Sequence, residues 1–307
     1  MDYTSVQQVG KDIVIAGINH FDLAQTLDNG QAFRWASVGD GKFGGIAHGR
    51  WLELELSGGS LMLRDVTLPE FDAIWKDYFD LGRSYSSLRD IFIEYDTMTK
   101  ALAFSPGLRL MRQDMWEMLV SFILSQNSNI PRIKKMIAQL CQSFGQELSG
   151  THGRAVREAN DQPCGGFAFP TPQALAGLTE EDLAVIRSGY RAAYILDAAR
   201  RVADGTLDLP GISTQPTEVV RAALLEIRGV GPKVADCVLL FGFGRVECFP
   251  LDVWMKRVVA TLYPSGFPED ISQYAGIAQQ FLFHYARSNP REFEKNPTAS
   301  PAASAKY

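Results

Sequence analysis

Two residues in the C-terminal third carry the chemistry open to this sequence. Lys233 closes the run Gly229-Val230-Gly231-Pro232-Lys233, and Asp252 closes Phe249-Pro250-Leu251-Asp252. An unprotonated lysine amine is a nucleophile that forms Schiff bases with carbon in the aldehyde oxidation state, sugar carbons included. A carboxylate beside it can stabilise an oxocarbenium-like sugar or move a proton for the amine. Each residue also has a plainer role. A surface lysine is ordinary solvated charge. Asp252, just before VWMKRVV, suits the N-cap of a helix. Lys233 is the odder of the two, because it falls in the first turn of a helix, where the macrodipole disfavours a cation.

The elements around Lys233 point to a phosphate-bearing ligand. A helix ends near Arg228, Gly229-Val230-Gly231 turns the chain, and Pro232 starts the next helix. Glycine permits positive φ and close approach of another backbone. The free N–H groups of the helix start can hold one phosphate oxygen. Such a hairpin binds DNA backbone without reading sequence and needs no strongly basic surface. Taken alone, the glycines read as those of an ordinary helix corner.

The rest of the chain reads as two domains and a tail. Residues 1–105 are β-rich, with short runs at Asp12–Ile18, Gln31–Val38, Phe43–Ala47, Trp51–Leu56 and Leu61–Leu63. WLELEL alternates apolar and acidic residues, as a half-buried strand does. Asp28-Asn29-Gly30, Gly39-Asp40-Gly41 and Gly58-Gly59 suit hairpin turns. A helix follows Pro69, with Phe71, Ile74, Trp75, Tyr78 and Phe79 on its apolar face. Residues 106–290 are helical by spacing: Met115, Met118, Leu119, Phe122 and Ile123 form one stripe behind the N-cap Asp114, and Ile133, Met136, Ile137, Leu140 and Cys141 form another. Helices are predicted at Thr171–Leu178, Glu180–Ser188, Arg191–Asp204, Pro216–Arg228, Pro232–Gly242, Asp252–Leu262 and Gln273–Ser288. Ser149–Pro172 reads as a long surface connection, and 291–307, rich in Pro, Ala and Ser, as a disordered tail. The fold class is α+β.

Composition narrows the function. With 307 residues and 46% hydrophobic side chains the chain can bury a sizeable core. No apolar run approaches the roughly 20 residues a spanning helix needs. The net charge of −5 is uneven: residues 1–100 hold nine basic and fifteen acidic side chains, so any DNA-binding face belongs to the second part. Four cysteines without a CxxC pair, and four scattered histidines, argue against structural zinc, an iron–sulfur cluster or a disulfide framework. Neither GxGxxG nor GxxxxGK[ST] occurs, which disfavours a dinucleotide- or ATP-using enzyme.

Residues 224–259 resemble the helix-hairpin-helix and Gly/Pro/Asp motif of the base-excision DNA glycosylases; Arg228 departs from a proline common before GVG. GQAFRW at 30–35, SFILSQNSNIPRIKKMIAQLCQSFG at 121–145, SGYRAAY at 188–194 and IAQQFLF at 277–283 resemble, in order, segments of the 8-oxoguanine DNA glycosylase family. The resemblance implies a TATA-binding-protein-like β domain before a helical glycosylase domain. It implies that Lys233 is the nucleophile and Asp252 the essential carboxylate. Gly30 would accept the N7 proton that 8-oxoguanine carries and guanine lacks. Cys237 and Phe283 would sandwich the extruded base, and Gln279 would bond its Watson–Crick edge. Asn127 would fill the space left in the duplex, Tyr190 would wedge the stack, and Arg132 and Arg191 would bond the orphaned cytosine. Gly229 and Gly231 would approach the DNA backbone. No cofactor is required, although a structural cation on the carbonyls of Leu225, Ile227 and Val230 is implied.

The expected activity is therefore removal of 8-oxoguanine from duplex DNA, opposite cytosine, with strand cleavage at the resulting abasic site. The partner is double-stranded DNA, and the expected state is a monomer in a bacterial-type cytoplasm. Two other activities remain open: a related glycosylase for alkylated or other oxidised bases, which in the alkylated case would not need Lys233, and a non-catalytic hairpin module, which would need only the glycines. Ser128, Trp254 and His284 depart from residues common in relatives and bear on base selectivity and phosphate contacts.

Overall fold

The computed structural model describes residues 1–148 and 166–293. The sheet comprises β1 (Ser5–Val9), β2 (Asp12–Ala16), β3 (Trp35–Gly39), β4 (Lys42–Ala47), β5 (Arg50–Ser57) and β6 (Ser60–Leu63). They lie in the order β1-β2-β6-β5-β4-β3, and every neighbouring pair is antiparallel. Alternation places Leu52 and Leu54 of β5 beside Ile13, Ile15, Leu61 and Leu63 on the inner face. That face is covered by a helix over 68–78, π-wound at Phe71–Trp75. Its Phe71, Trp75 and Tyr78, with Phe79 just beyond, are buried, and Trp35 of β3 donates to the Tyr78 hydroxyl at 2.9 Å.

Two expectations about this sheet are corrected. Gln31–Arg34 is not strand, because its side chains bond away from the sheet, as described below. Asp28-Asn29-Gly30 is not a hairpin; it leaves α1 (Leu23–Leu27), capped by Asp22, whose carboxylate accepts from Gln25 at 2.8 Å. The edge strand β1 had no sequence signature, since its residues are mostly exposed.

The helical layer is built from α2 (Tyr85–Phe92), α3 (Asp96–Phe104), α4 (Met115–Leu124), α5 (Ile130–Phe144), α6 (Pro172–Ala176), α7 (Arg191–Ala203), α8 (Leu209–Ile212), α9 (Thr217–Leu225), α10 (Pro232–Phe241), α11 (Val253–Leu262) and α12 (Ala275–Ser288). Asp182–Ile186, read as part of an α-helix from sequence, is a 3-10 turn. The core of the helical layer takes in Phe33 and, from α2 onward, Tyr85, Leu88 and Phe92, so α2 and α3 pack with the later helices. Residues 149–165, most of the expected long connection, and 294–307, nearly all of the expected tail, lie outside the described residues.

Polar side chains staple the sheet to the helices. Arg109 is fully buried, paired with Asp2 at 2.6 Å, and donates to the carbonyls of Asn19, His20, Asp80 and Arg83. Its guanidinium lies 4.4 Å from the Tyr85 ring centre. With its donors satisfied, the buried charge is tolerable, and removal of one partner would be costly. Gln31 donates to the carbonyls of Thr26 and Arg109 and accepts from Met111 N–H. Arg34 pairs with Glu117 of α4 at 3.2 Å and donates to the Phe167 carbonyl. The GQAFRW segment thus ties the sheet to α4 and fixes the position of Gly30.

Candidate active site

A cavity of about 220 Å³ opens between the domains. Gly30, Lys233, Cys237, Asp252, Gln279 and Phe283 all line it, which unites every expected catalytic and base-pocket residue. They come from five places: the turn after α1, the start and second turn of α10, the cap of α11, and α12. Gly30 has φ +101°, and a Cβ there would stand 2.5 Å from the Ile130 side chain.

Lys233 reaches back from the first turn of α10 to the end of α4. Its Nζ donates to Ser125 Oγ at 3.1 Å and lies 5.2 Å from the centre of the Phe122 ring. Ser125 spends its own proton on the Phe122 carbonyl at 2.7 Å, so its oxygen is free to accept from the amine. Phe122 is itself fixed by stacking on Phe241, with centroids 5.3 Å apart. Burial pushes the neighbouring Cys237 thiol up to about 11, although Lys233 opposes the shift. The thiol is therefore protonated near neutral pH, an apolar wall rather than a competing nucleophile.

Asp252 caps α11: Oδ1 accepts from Met255 N–H at 2.8 Å. The cap holds the residue at the cavity wall, so the plain role is compatible with the expected chemical one. Gln279 is buried, donating Nε2 to the Pro250 carbonyl at 3.2 Å and accepting from Gln280 at 2.6 Å. Arg287 lies over Phe283, 5.5 Å from its ring centre, and bonds the Asn29 carbonyl beside Gly30.

The residues expected to touch DNA lie outside the cavity lining. Asn127 is exposed, has φ +46°, and donates to the Tyr190 hydroxyl at 3.1 Å. Tyr190 is 47% exposed at the start of α7. Arg132 is exposed. Arg191 is turned inward, 4% exposed, with its fork on the carbonyls of Gln126, Asn127 and Ser188. In this state its donors brace the Asn127 turn.

The hairpin glycines differ. Gly229 has φ +78°, and a Cβ there would meet the Tyr194 ring at 2.2 Å. Gly231 has φ −101°, with open space where a Cβ would stand. It caps α10 with no side chain, and the first helical N–H satisfied locally is that of Ala235, on the Gly231 carbonyl. Among the described residues no backbone N–H bonds the carbonyls of Leu225 or Val230, while that of Ile227 accepts from Val230 at 3.0 Å. Spare lone pairs on these three oxygens fit a hard cation, which would supply positive charge beside a DNA phosphate.

Sequence reasoning missed Gln280, Arg287 and the lysine-holding role of Ser125. The signal for Gln280 was two consecutive glutamines in the apolar run IAQQFLF, where exposed helix residues would not both fall. Trp254, noted as a departure, also lines the cavity, with Arg257 5.1 Å from its ring centre.

Residues 13–119 match the family described as 8-oxoguanine DNA glycosylase, N-terminal domain, and residues 120–274 match the HhH-GPD superfamily base excision DNA repair protein. The chain is 30% identical to a probable N-glycosylase/DNA lyase of Methanothermobacter thermautotrophicus, over 88% of this chain and 95% of that one. It is 32% identical to the N-glycosylase/DNA lyase of Saccharomyces cerevisiae, over 78% and 68%. The fold superposes with TM-score 0.85 on the Clostridium acetobutylicum 8-oxoguanine glycosylase/lyase in complex with double-stranded DNA containing cytosine opposite 8-oxoguanine, at 32% identity and covering 94% and 100% of the two chains. A lysine, a carboxylate and a cavity behind a hairpin, in a chain matching the two family models in succession over residues 13–274, place it in the 8-oxoguanine DNA glycosylase family of the HhH-GPD superfamily.

Proposed function

We propose that this chain removes 8-oxoguanine from duplex DNA, opposite cytosine, and cleaves the strand at the abasic site that results. The observation that carries this is the convergence of Lys233, Asp252, Gly30, Gln279 and Phe283 on one cavity. A base inside a duplex is out of reach, so the nucleotide must be extruded, at a cost of a few kcal/mol. Phosphate contacts at the hairpin, Tyr190 in the stack and Asn127 in the vacated space offset that cost. Arg132, exposed at the start of α5, would bond the orphaned cytosine, and Arg191 would join it by exchanging carbonyl partners for base acceptors.

In the cavity, Cys237 and Phe283 would flank the base, and Gly30 would offer a main-chain acceptor to the N7 proton. Lys233, deprotonated, attacks C1′. The C1′–N9 bond breaks, and its electron pair leaves with the base, which takes up a proton. Asp252 stabilises positive charge developing on the sugar. Ring opening gives a Schiff base between Nζ and C1′, which acidifies the C2′ protons. Loss of one C2′ proton and expulsion of the 3′ phosphate cleave the strand, and water then hydrolyses the Schiff base to free the enzyme.

The test is release of free base from duplexes carrying 8-oxoguanine or guanine opposite cytosine. Release of 8-oxoguanine alone supports the proposal. Release only of alkylated bases overturns the substrate assignment.

A further inference from the structure

Gln279, Phe283 and Arg287 follow one another at four-residue spacing on α12, so they share one face of the helix, and all three line the cavity. Exposure rises along the row: Gln279 is 3% exposed, Phe283 is half-buried and Arg287 is exposed. The row therefore runs from the floor of the cavity to its mouth. A base that enters with its Watson–Crick edge toward Gln279 leaves its five-membered ring, which is joined to the sugar, near the mouth. That ring carries N7 and C8.

Arg287 stands at the mouth beside the group that would read N7. Its Nη1 donates to the Asn29 carbonyl at 3.2 Å, and a Cβ on Gly30 would lie 3.4 Å from the same nitrogen. Among the described residues that is the hydrogen bond Arg287 makes, and its Nη2 and Nε have no protein acceptor. The guanidinium is a rigid planar fork, so anchoring one arm on Asn29 fixes the second arm beside the Gly30 turn. In 8-oxoguanine, N7 has an oxygen on either side. O6 lies toward the Watson–Crick edge and the cavity floor. O8 lies toward the sugar and the mouth, where guanine carries only a C–H. We propose that Arg287 donates a hydrogen bond to O8 of the extruded base, so that Gly30 and Arg287 read the two neighbouring atoms that distinguish the lesion from guanine. This rests on the 8-oxoguanine assignment above and names a second specificity residue for it. A hydrogen bond from a guanidinium to a carbonyl is charge-assisted and stronger than a neutral one.

The experiment compares single-turnover excision of 8-oxoguanine with that of 7-hydro-8-thioguanine, each opposite cytosine. The thio base keeps the N7 proton and the Watson–Crick edge and replaces O8 by sulfur, a weak acceptor. Arg287→Met keeps an unbranched stem and removes the donors. The ratio of 8-oxoguanine to 8-thioguanine excision should fall about tenfold from wild type to Arg287→Met. Arg287→Ala, which widens the mouth instead of filling it, should give the same fall. Gln279→Ala alters the edge that the two bases share and should leave the ratio as in wild type. An unchanged ratio in both Arg287 variants overturns the proposal. If both bases are then slowed alike, Arg287 acts by positioning Gly30 or by holding a phosphate; if neither is slowed, it is solvated charge. Failure of wild type to excise 8-oxoguanine at all strikes the assigned function instead.

Discussion

The two hairpin glycines should fail in different ways. Gly229→Ala forces a side chain to φ +78° and drives a Cβ to 2.2 Å from the rigid Tyr194 ring. The backbone strain costs about 1–3 kcal/mol, and overpacking against a ring that cannot retreat costs about as much again. Gly231→Ala meets neither penalty, because φ −101° is open to any residue and the Cβ enters free space. Its stability should stay within about 0.5 kcal/mol of wild type. The free space of Gly231 is where a phosphate oxygen would approach the open N–H groups of α10. A methyl there should remove at least one hydrogen bond to a charged acceptor, about 1.5–3 kcal/mol, or roughly 10- to 100-fold in DNA affinity. Urea denaturation reports the first effect. Binding to a lesion duplex at fixed salt, in a Lys233→Gln background, reports the second. Equal loss of stability in the two variants would refute the geometric distinction, and full-strength DNA binding by Gly231→Ala would refute the phosphate site.

Other consequences follow from single contacts. Burial raises the Glu117 carboxyl to about 7 from an ordinary 4.5, against the pull of Arg34. A folded value above the unfolded one means that its contribution is greatest below about pH 4.5 and declines through pH 7; the span corresponds to about 3 kcal/mol. The stability difference between wild type and Glu117→Gln, measured by denaturation from pH 4.5 to 8, should therefore shift against wild type as pH rises, and a flat difference would contradict it. Gly30→Ala, strained at φ +101° and pressed on Ile130, should slow single-turnover 8-oxoguanine excision more than about tenfold while abasic-site cleavage persists. Arg132→Ala should lower the ratio of excision opposite cytosine to excision opposite adenine by about tenfold; an unchanged ratio removes Arg132 from cytosine reading.

The site was more legible than the scaffold that holds it. Lys233 stood out because a cation conflicts with what a helix start needs, whereas Asp252 and the hairpin glycines, ordinary as a cap and a corner, drew notice only in combination with it. Gly30, Gln279 and Phe283 came through resemblance, since no periodicity marks a cavity wall contributed by distant elements. Gln31–Arg34 misled because it runs without a break into Trp35–Val38 behind the Gly30 boundary, yet Gln31 and Arg34 are drawn to partners more than 75 residues away. The burial of Arg109 was invisible for the same reason: its five oxygen partners come from three separate stretches of chain. Strand β1 escaped because an edge strand with three exposed residues carries no alternation. Local pattern exposes residues that break a local rule, and long-range pairing hides residues whose partners are remote.

The central claim is that Lys233 forms a covalent bond with the sugar of a damaged nucleotide. Borohydride trapping on a labelled duplex with 8-oxoguanine opposite cytosine tests it directly, with Lys233→Gln and an undamaged duplex alongside. The expected result is a protein–DNA adduct with wild type on the damaged duplex alone. Absence of an adduct while the damaged duplex remains bound, or an adduct of equal yield with Lys233→Gln, would contradict the assignment of Lys233 as the nucleophile.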